Sequence, residues 1–488
     1  MNTSSSWIHS LKRRVRVKGK RLWTKIQRYF THHKKFFLWV WEGIFYLGIV
    51  GLVFPPGREE GILTMGLKFT GYALIIFILL LIFLAYLYKS HREIFDSPHL
   101  FILLALISFG VIYLCKVILS LNLGGALLPV SLAGMLITPL IGKEVSFTAI
   151  FFISLIVSFF KGFHLDFLIF SLIGGTVATL GSLYVRRRVD MVKVGGIVGI
   201  FNAVFLLGWG WIRSGSGGEI FRQSLWGLSN GIICSILSIG ILPILEFLFG
   251  VVTEARLLEL CDLNSPLLRD LRKEAPGTYQ SSLIVASLAE NAAEKVGANA
   301  LLARVGAYYH DVGKLKNPLY FVENQTPQSK NIHERINPAL SSLILTSHVK
   351  EGVNLAKKYR LPPPVVDIIK QHHGTTLTSF FYQKAKKNNQ GENVREEDFR
   401  YPGPKPKSKE AAIVMLADAV EAASRSLEEP SPSRLRNLVE KVIKEKIEDG
   451  QLDEAPLTLG EIDQIKESFL QTLSGIYHSR IEYPEEKE

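Results

Sequence analysis

His310-Asp311 sets an imidazole beside a carboxylate, and His348, the doublet His372-His373 and Asp418 follow in segments with helical patterning. Neutral imidazoles and carboxylates are ligands for borderline to hard divalent ions such as Mn²⁺ and Fe²⁺. Two such ions sharing a carboxylate form a clamp for in-line attack on a phosphoester. One His-Asp pair is common in a long chain, whereas six candidate ligands in four segments carry chemical weight. Lys314, three residues after Asp311, is placed to neutralise a substrate phosphate.

Helices must position these groups. After the turn at Pro276-Gly277, residues 278–296 place Leu283, Ile284, Val285, Leu288 and Ala292 at helical spacing. A second helix is expected from about 298 to Asp311, stopping at Gly313. A third over about 338–359 carries His348, and a fourth runs from Pro362-Pro363-Pro364 to His372-His373-Gly374. Residues 375–407 are polar and rich in Lys, Asn and Gly, and predict a mobile loop. A fifth helix over about 408–426 holds Asp418 within the apolar run Ala411 to Val420. A lone ionised carboxylate there would be expensive to desolvate, so a metal or a cation such as Arg425 must compensate it. His333 has no distinguishing context.

The first half of the chain reads differently. The sequence has 488 residues, 48% of them hydrophobic, and the apolar excess lies before residue 251. Apolar stretches near 36–54, 71–88, 99–121, 124–142, 146–160, 165–185, 193–212 and 226–248 mostly approach the roughly 20 residues of a spanning helix, giving about eight spans. Residues 1–35 carry many Lys and Arg and no Asp or Glu, and Arg186, Arg187, Arg188 and Lys193 fall between two spans. The positive-inside rule then puts both termini in the cytoplasm of a multi-pass cell (inner) membrane protein. The basic N-terminus lacks any nucleic-acid-binding pattern, so the lipid bilayer is the expected partner and nucleic acid is not. A cleavable signal peptide is not expected. Cys115, Cys234 and Cys261 form no CxxC pair and are expected as small buried residues. Lys116 lies within an apolar span, where it marks a pocket or snorkels to one end. Asn202, Asn230 and the Gly174-Gly175 and Gly195-Gly196 pairs are expected to serve helix packing. Residues 251–275 alternate leucines with charges as an amphipathic helical segment broken at Asn264-Ser265-Pro266.

The organisation expected is all-α: a basic N-terminus over 1–35, a membrane domain over 36–250, a coupling helix over 251–275 and a helical cytoplasmic domain over 276–488. The motif His310-Asp311-Val312-Gly313-Lys314, with His348, His372-His373-Gly374-Thr375-Thr376 and Asp418 in Met415-Leu416-Ala417-Asp418, resembles the HD hydrolase superfamily. Glu274-Ala275-Pro276-Gly277-Thr278-Tyr279, Arg304 to Tyr309, Phe399 to Pro406 and Gly475 to Ile481 are similar to the bacterial seven-transmembrane HD family. That resemblance implies a cytoplasmic HD-type phosphohydrolase that opens cyclic di-AMP to the linear dinucleotide, with a metal-bridged hydroxide attacking phosphorus. It implies two divalent ions, Mn or Fe. His310, Asp311 and Asp418 would hold one; His348 and His372-His373 would complete the second, with Asp311 bridging. A homodimer is compatible with it. Two departures stand out. Only Pro55 to Thr70 occupies the place of the family's large extracellular domain. Gln280-Ser281 stands where the family has a histidine pair, leaving Ser281 at a ligand position. A weakened enzyme and a catalytically silent nucleotide-binding receptor or scaffold are the two outcomes open to such a chain.

Overall fold

The computed structural model describes residues 43, 46–53, 62–160, 163–325, 332–388, 394–427 and 430–477. The basic segment 1–35 and most of the expected first span, 36–54, fall outside them, although 46–53 are helical. Among the described residues the fold is all-helical, with a single β-bridge between Leu377 and Arg400. The chain divides into two compact units, Met1–Phe249 and Gly250–Glu488.

In the first unit, α1 (Ile62–Ser90), the five-residue α2 (Arg92–Asp96) and α3 (Pro98–Ser120) precede α4 (Val130–Leu140) and α5 (Lys143–Ser158). Then come α6 (Leu165–Ser182), α7 (Asp190–Ile212) and α8 (Gly217–Phe249). Five of these, α1, α3, α6, α7 and α8, are long and apolar enough to cross a membrane. The expected span at 124–142 is shorter than foreseen, while the short stretch at 146–160 forms a helix of about its own length. The first is a 3₁₀ turn followed by 11 residues of α4, and α5 has 16. Gly124, with φ of 91°, and Pro129 break the first of these stretches. Helices α7 and α8 meet through glycines: a Cβ on Gly231 would lie 2.2 Å from the Gly195 carbonyl oxygen. Beside them Asn202 donates to Asn230 Oδ1 at 3.3 Å, and Asn230 donates to the Leu128 carbonyl at 3.1 Å. Small residues and interhelical amides are how apolar helices pack without a hydrophobic driving force. Lys116 Nζ lies 5.4 Å from the centre of the Phe160 ring, a cation–π contact.

The second unit starts with α9 (Glu254–Leu260) and α10 (Pro266–Glu274), whose Leu257, Leu260, Leu267, Leu268 and Leu271 are buried in its core. Next come α11 (Pro276–Lys295), α12 (Ala300–Tyr309), α13 (Pro338–Lys358) and α14 (Pro363–Gln371). The last four are α15 (Ser379–Asn388), α16 (Lys409–Ser424), α17 (Pro432–Glu448) and α18 (Leu459–Ile476). Capping explains several starts. The Asn299 side chain accepts from Leu302 N, Ser408 from Ala411 N, and Thr458 with Glu461 forms a reciprocal box. Helix α16 is the centre: Ile413, Val414, Leu416, Ala417 and Val420 are all fully buried against α11, α12, α14 and α17. Each of the Ile, Val and Leu side chains contributes roughly 1.5–3 kcal/mol by leaving water.

Two details differ from the sequence expectation. The stretch 375–407 contains α15, whose Phe381, Tyr382 and Ala385 pack with Phe399; its short apolar stripe is masked by the lysines around it. The helix ending at the His-Asp pair stops at Tyr309, and Asp311 opens a 3₁₀ turn over Val312–Lys316. That turn lies against α13 because two glycines leave room. A Cβ on Gly313 would sit 1.8 Å from the His348 carbonyl oxygen and 2.5 Å from Gly352 N. Gly313→Ala is therefore expected to push the turn off α13, costing about 3 kcal/mol. Thermal unfolding of the purified protein checks it, and an unchanged melting temperature would contradict this packing.

Candidate metal centre

Two helix ends and one helix interior aim imidazoles at a common point. His310 caps α12, His348 lies within α13, and His372 caps α14. Each Nδ1 faces the carbonyl three residues earlier: Ala307 at 2.7 Å, Leu345 at 2.5 Å and Ile369 at 2.8 Å. A carbonyl accepts only, so each Nδ1 carries a proton, and Nε2 is the inward atom that offers a lone pair once the ring is neutral. These carbonyls fix ring tautomer and orientation as second-shell partners of a metal-binding histidine do.

The inward atoms converge. Asp311 Oδ1 lies 3.2 Å from His348 Nε2 and 3.7 Å from His372 Nε2, while Oδ2 lies 3.3 Å from His310 Nε2. Asp418 Oδ1 is 3.4 Å from His310 Nε2, and its Oδ2 is 3.7 Å from His373 Nδ1. Two donor groups result, Asp311 with His348, His372 and His373, and His310 with Asp311 and Asp418. Within each, the ligand atoms lie within 4.8 Å of one another, and Asp311 belongs to both. All six ligands anticipated from the sequence are thus brought together.

The fit to divalent ions rests on what the donors lack. His310 Nε2 and Asp311 Oδ1 are buried without a hydrogen-bond partner. His348 Nε2 and His372 Nε2 face each other at 3.2 Å although both should be lone pairs. A buried unpaired acceptor costs free energy, and two opposed lone pairs repel. A cation between them resolves both. Three imidazoles in one group also favour a transition metal over Mg²⁺ or Ca²⁺, which prefer all-oxygen shells.

Electrostatics prepares the donors unequally. Burial pushes the His348 pKa down to about 3. Burial, with His372 and His348 nearby, holds His373 well below its usual value, so both rings are neutral and ready to ligate. For His310 burial also opposes charge, but Asp311 and Asp418 outweigh it and raise its pKa to about 10. Burial likewise opposes ionisation of Asp311, yet Lys314 and His310 hold it well below the usual carboxylate range.

Lys314 donates to Asp311 Oδ2 at 2.6 Å and to Glu323 Oε1 at 2.7 Å. Its ammonium lies 5.0 Å from the centre of the Phe321 ring. Glu323 also accepts from Thr278 Oγ1, whose backbone N–H donates to Asn324 Oδ1. A Cβ on Gly277 would meet the Glu323 carbonyl at 1.8 Å, so the Pro276-Gly277-Thr278 start of α11 is seated directly on this segment. Sequence reasoning did not single out Glu323; its one signal is a carboxylate shortly after the His-Asp motif. Tyr401 was quoted as part of a motif without a role. Its half-buried ring lies tilted against His373 with centroids 4.2 Å apart and meets His348 edge-on at 6.0 Å.

Ser281 is engaged with Glu421. Its Oγ donates to Glu421 Oε2 at 2.7 Å, and Glu421 Oε1 accepts from Arg425 Nε at 2.5 Å. Arg425 therefore compensates Glu421, and Asp418 is left to the histidines. His333 is buried and bonds the Tyr320 carbonyl at 2.7 Å, a packing role.

With this geometry established, residues 67–253 match the family described as "7TM receptor with intracellular HD hydrolase", and residues 278–423 match the HD domain. The chain is 48% identical over 319 residues to Cyclic-di-AMP phosphodiesterase PgpH of Bacillus subtilis (strain 168), covering 65% of this chain and 44% of that protein. It is 36% identical over 430 residues to Cyclic-di-AMP phosphodiesterase PgpH of Listeria monocytogenes serotype 1/2a (strain 10403S), covering 86% of this chain and 60% of that protein. The chain thus spans about half the length of these curated relatives. A crystal structure of the L. monocytogenes phosphodiesterase PgpH HD domain in complex with cyclic di-AMP is 47% identical. It covers 44% of this chain and 100% of that one, with a TM-score of 0.43.

His310 gives the site a pH dependence. Its folded pKa of about 10 lies above the ordinary 6.5, so without an ion the ring stays protonated through the neutral range. An ion must displace that proton, and its apparent affinity should rise about tenfold per pH unit from pH 7 toward 10. Calorimetric titration with Mn²⁺ in buffers of different ionisation enthalpy should register one proton released per ion at this group. A pH-independent affinity with no proton release would contradict the assignment.

Proposed function

Because the chain belongs to the family of 7TM receptors with an intracellular HD hydrolase, we propose that it is a membrane-anchored phosphodiesterase opening cyclic di-AMP to the linear dinucleotide pApA. The observation that carries this reading is Asp311 shared between two donor groups, with its Oδ1 and His310 Nε2 buried without hydrogen-bond partners. The names of the two relatives support the substrate. The imidazole-rich set favours Mn or Fe. The basic segments at 1–35 and 186–193 support a cell-membrane protein with both termini in the cytoplasm.

In this reading His348, His372 and His373 would hold one ion and His310 and Asp418 the other, with Asp311 available to both. Divalent ions held there supply an ionised water at neutral pH and neutralise charge on the phosphoryl oxygens. Lys314 keeps Asp311 ionised, and Glu323 fixes Lys314 through its second contact. Tyr401 covers the His373 ring and limits water on that side. Overall, water adds across one P–O3′ bond, leaving a terminal phosphate and a free 3′-hydroxyl.

A second reading has its own observation. The group of His310, Asp311 and Asp418 contains one imidazole, and Ser281 is committed to Glu421. Serine is a poor ligand unless deprotonated, so this half of the site should hold its ion weakly. A protein that binds the nucleotide as a receptor or scaffold with little turnover would follow.

The test is hydrolysis of cyclic di-AMP by the purified chain with Mn²⁺, resolved by chromatography. Linear pApA should form and vanish in Asp311→Ala. Ser281→His should bind the second ion at least about tenfold more tightly and raise turnover at limiting Mn²⁺. No product from either the natural chain or Ser281→His would leave the receptor reading standing.

A further inference from the structure

A second lysine, on α17, is anchored to the turn after the His372-His373 doublet and is not used by the mechanism above. Lys446 Nζ donates to Thr376 Oγ1 at 2.9 Å. Among the described residues no carboxylate forms an ion pair with it, since the acids nearby are engaged elsewhere. Asp449 takes Arg400 at 2.9 Å and Gln451 at 2.8 Å, and Asp418 faces His310 and His373. Glu445, its chain neighbour, is paired with Lys441.

Its location is tied to the donor set. Thr376 follows the His372-His373 doublet by three residues, and its N–H donates to the His373 carbonyl at 3.1 Å. The Thr376 carbonyl accepts from Tyr401 N at 3.0 Å, and Tyr401 covers His373. The ammonium is therefore fixed to the turn that carries a metal-ligand candidate. Lys314 is different: two carboxylates at 2.6 and 2.7 Å already neutralise it. A partly buried ammonium whose partner is a neutral hydroxyl lacks its compensating anion. Burial lowers the Lys446 pKa below the usual lysine value, as expected of an uncompensated cation.

We propose that Lys446, with the Thr376 hydroxyl, receives a phosphate of the substrate, and that Lys314 serves to hold Asp311. The inference rests on the cyclic-dinucleotide reading. Such a substrate carries two phosphates, one over the donor groups and one beyond them, and the chemistry of an ammonium and a hydroxyl suits either.

The experiment measures equilibrium binding to the full-length chain in nanodiscs with Mn²⁺. The probes are a hydrolysis-resistant bisphosphorothioate of cyclic di-AMP, with two phosphate groups, and AMP, with one. Lys446→Gln should weaken the dinucleotide about tenfold or more, the loss of a charge-assisted hydrogen bond. Lys446→Arg should retain most of the affinity, and the melting temperatures of both variants should match the natural chain. Affinity of the natural chain should fall more steeply with KCl than that of Lys446→Gln. A parallel loss for AMP places the contacted phosphate over the donor groups; a loss confined to the dinucleotide places it at the far phosphate. If the natural chain binds both probes and Lys446→Gln binds them equally well, this inference is overturned and the substrate reading survives. Binding of AMP without the dinucleotide would sink the substrate reading, and the Lys446→Gln effect on AMP would then decide the lysine alone. Binding of neither probe would overturn both.

Discussion

Burial of the ionised Asp311 carboxylate governs the second unit of this protein. The residue is 2% exposed, one of its oxygens has no hydrogen-bond partner, and an uncompensated carboxylate in such a place would be strongly destabilising. Everything nearby answers that cost. Lys314 supplies charge from one side, His310 from another, and the Nε2 atoms of His348 and His372 close the remaining directions with lone pairs. Those lone pairs help the carboxylate only when a cation stands between them. The fold has therefore placed its structural liability where a divalent ion removes it, and stability and chemistry share one site.

The architecture around Asp311 follows from that demand. Three helices deliver imidazoles whose Nδ1 protons are taken by their own backbone, so no further side chain is needed to choose the tautomer. Gly313 and Gly352 let the His-Asp turn lie against α13 close enough for His348 to reach the carboxylate. Helix α16 contributes Asp418 from an otherwise apolar face, which is tolerable because His310 and His373 meet it at once. Ser281 marks the weak side: the hydroxyl completes a Glu421–Arg425 network and adds nothing to the donors.

Much of this was legible in the chain. The six ligand candidates were visible together, as six metal-binding side chains in four segments that resemble a known family, and Asp418 in its run of Ala, Ile, Val and Leu was the clearest single one. The membrane helices declared themselves by length, although α4 came out shorter than its apolar run, since Gly124 and Pro129 interrupt it. What stayed hidden depended on contacts between distant segments. Glu323 matters through Lys314 and Thr278, and nothing local in Val322-Glu323-Asn324 says so. Lys446 looks like one more solvated lysine on a charged helix until Thr376 and the engaged acids around it are placed. Lys314 carries the opposite lesson: its closeness to the His-Asp pair pointed to substrate, and the structure engages it with two carboxylates. Helix α15 was missed because three buried residues among lysines leave too faint a period.

The central claim is that one buried carboxylate is shared by two ions. Electron paramagnetic resonance of the purified chain titrated with Mn²⁺ tests it directly, because two Mn²⁺ ions bridged by a carboxylate couple magnetically. The account predicts the six-line signal of an isolated ion at low loading, giving way at higher Mn²⁺ to a coupled multiline spectrum that Asp311→Ala abolishes. A spectrum that stays six-line at saturation, or coupling that survives the loss of Asp311, would contradict it.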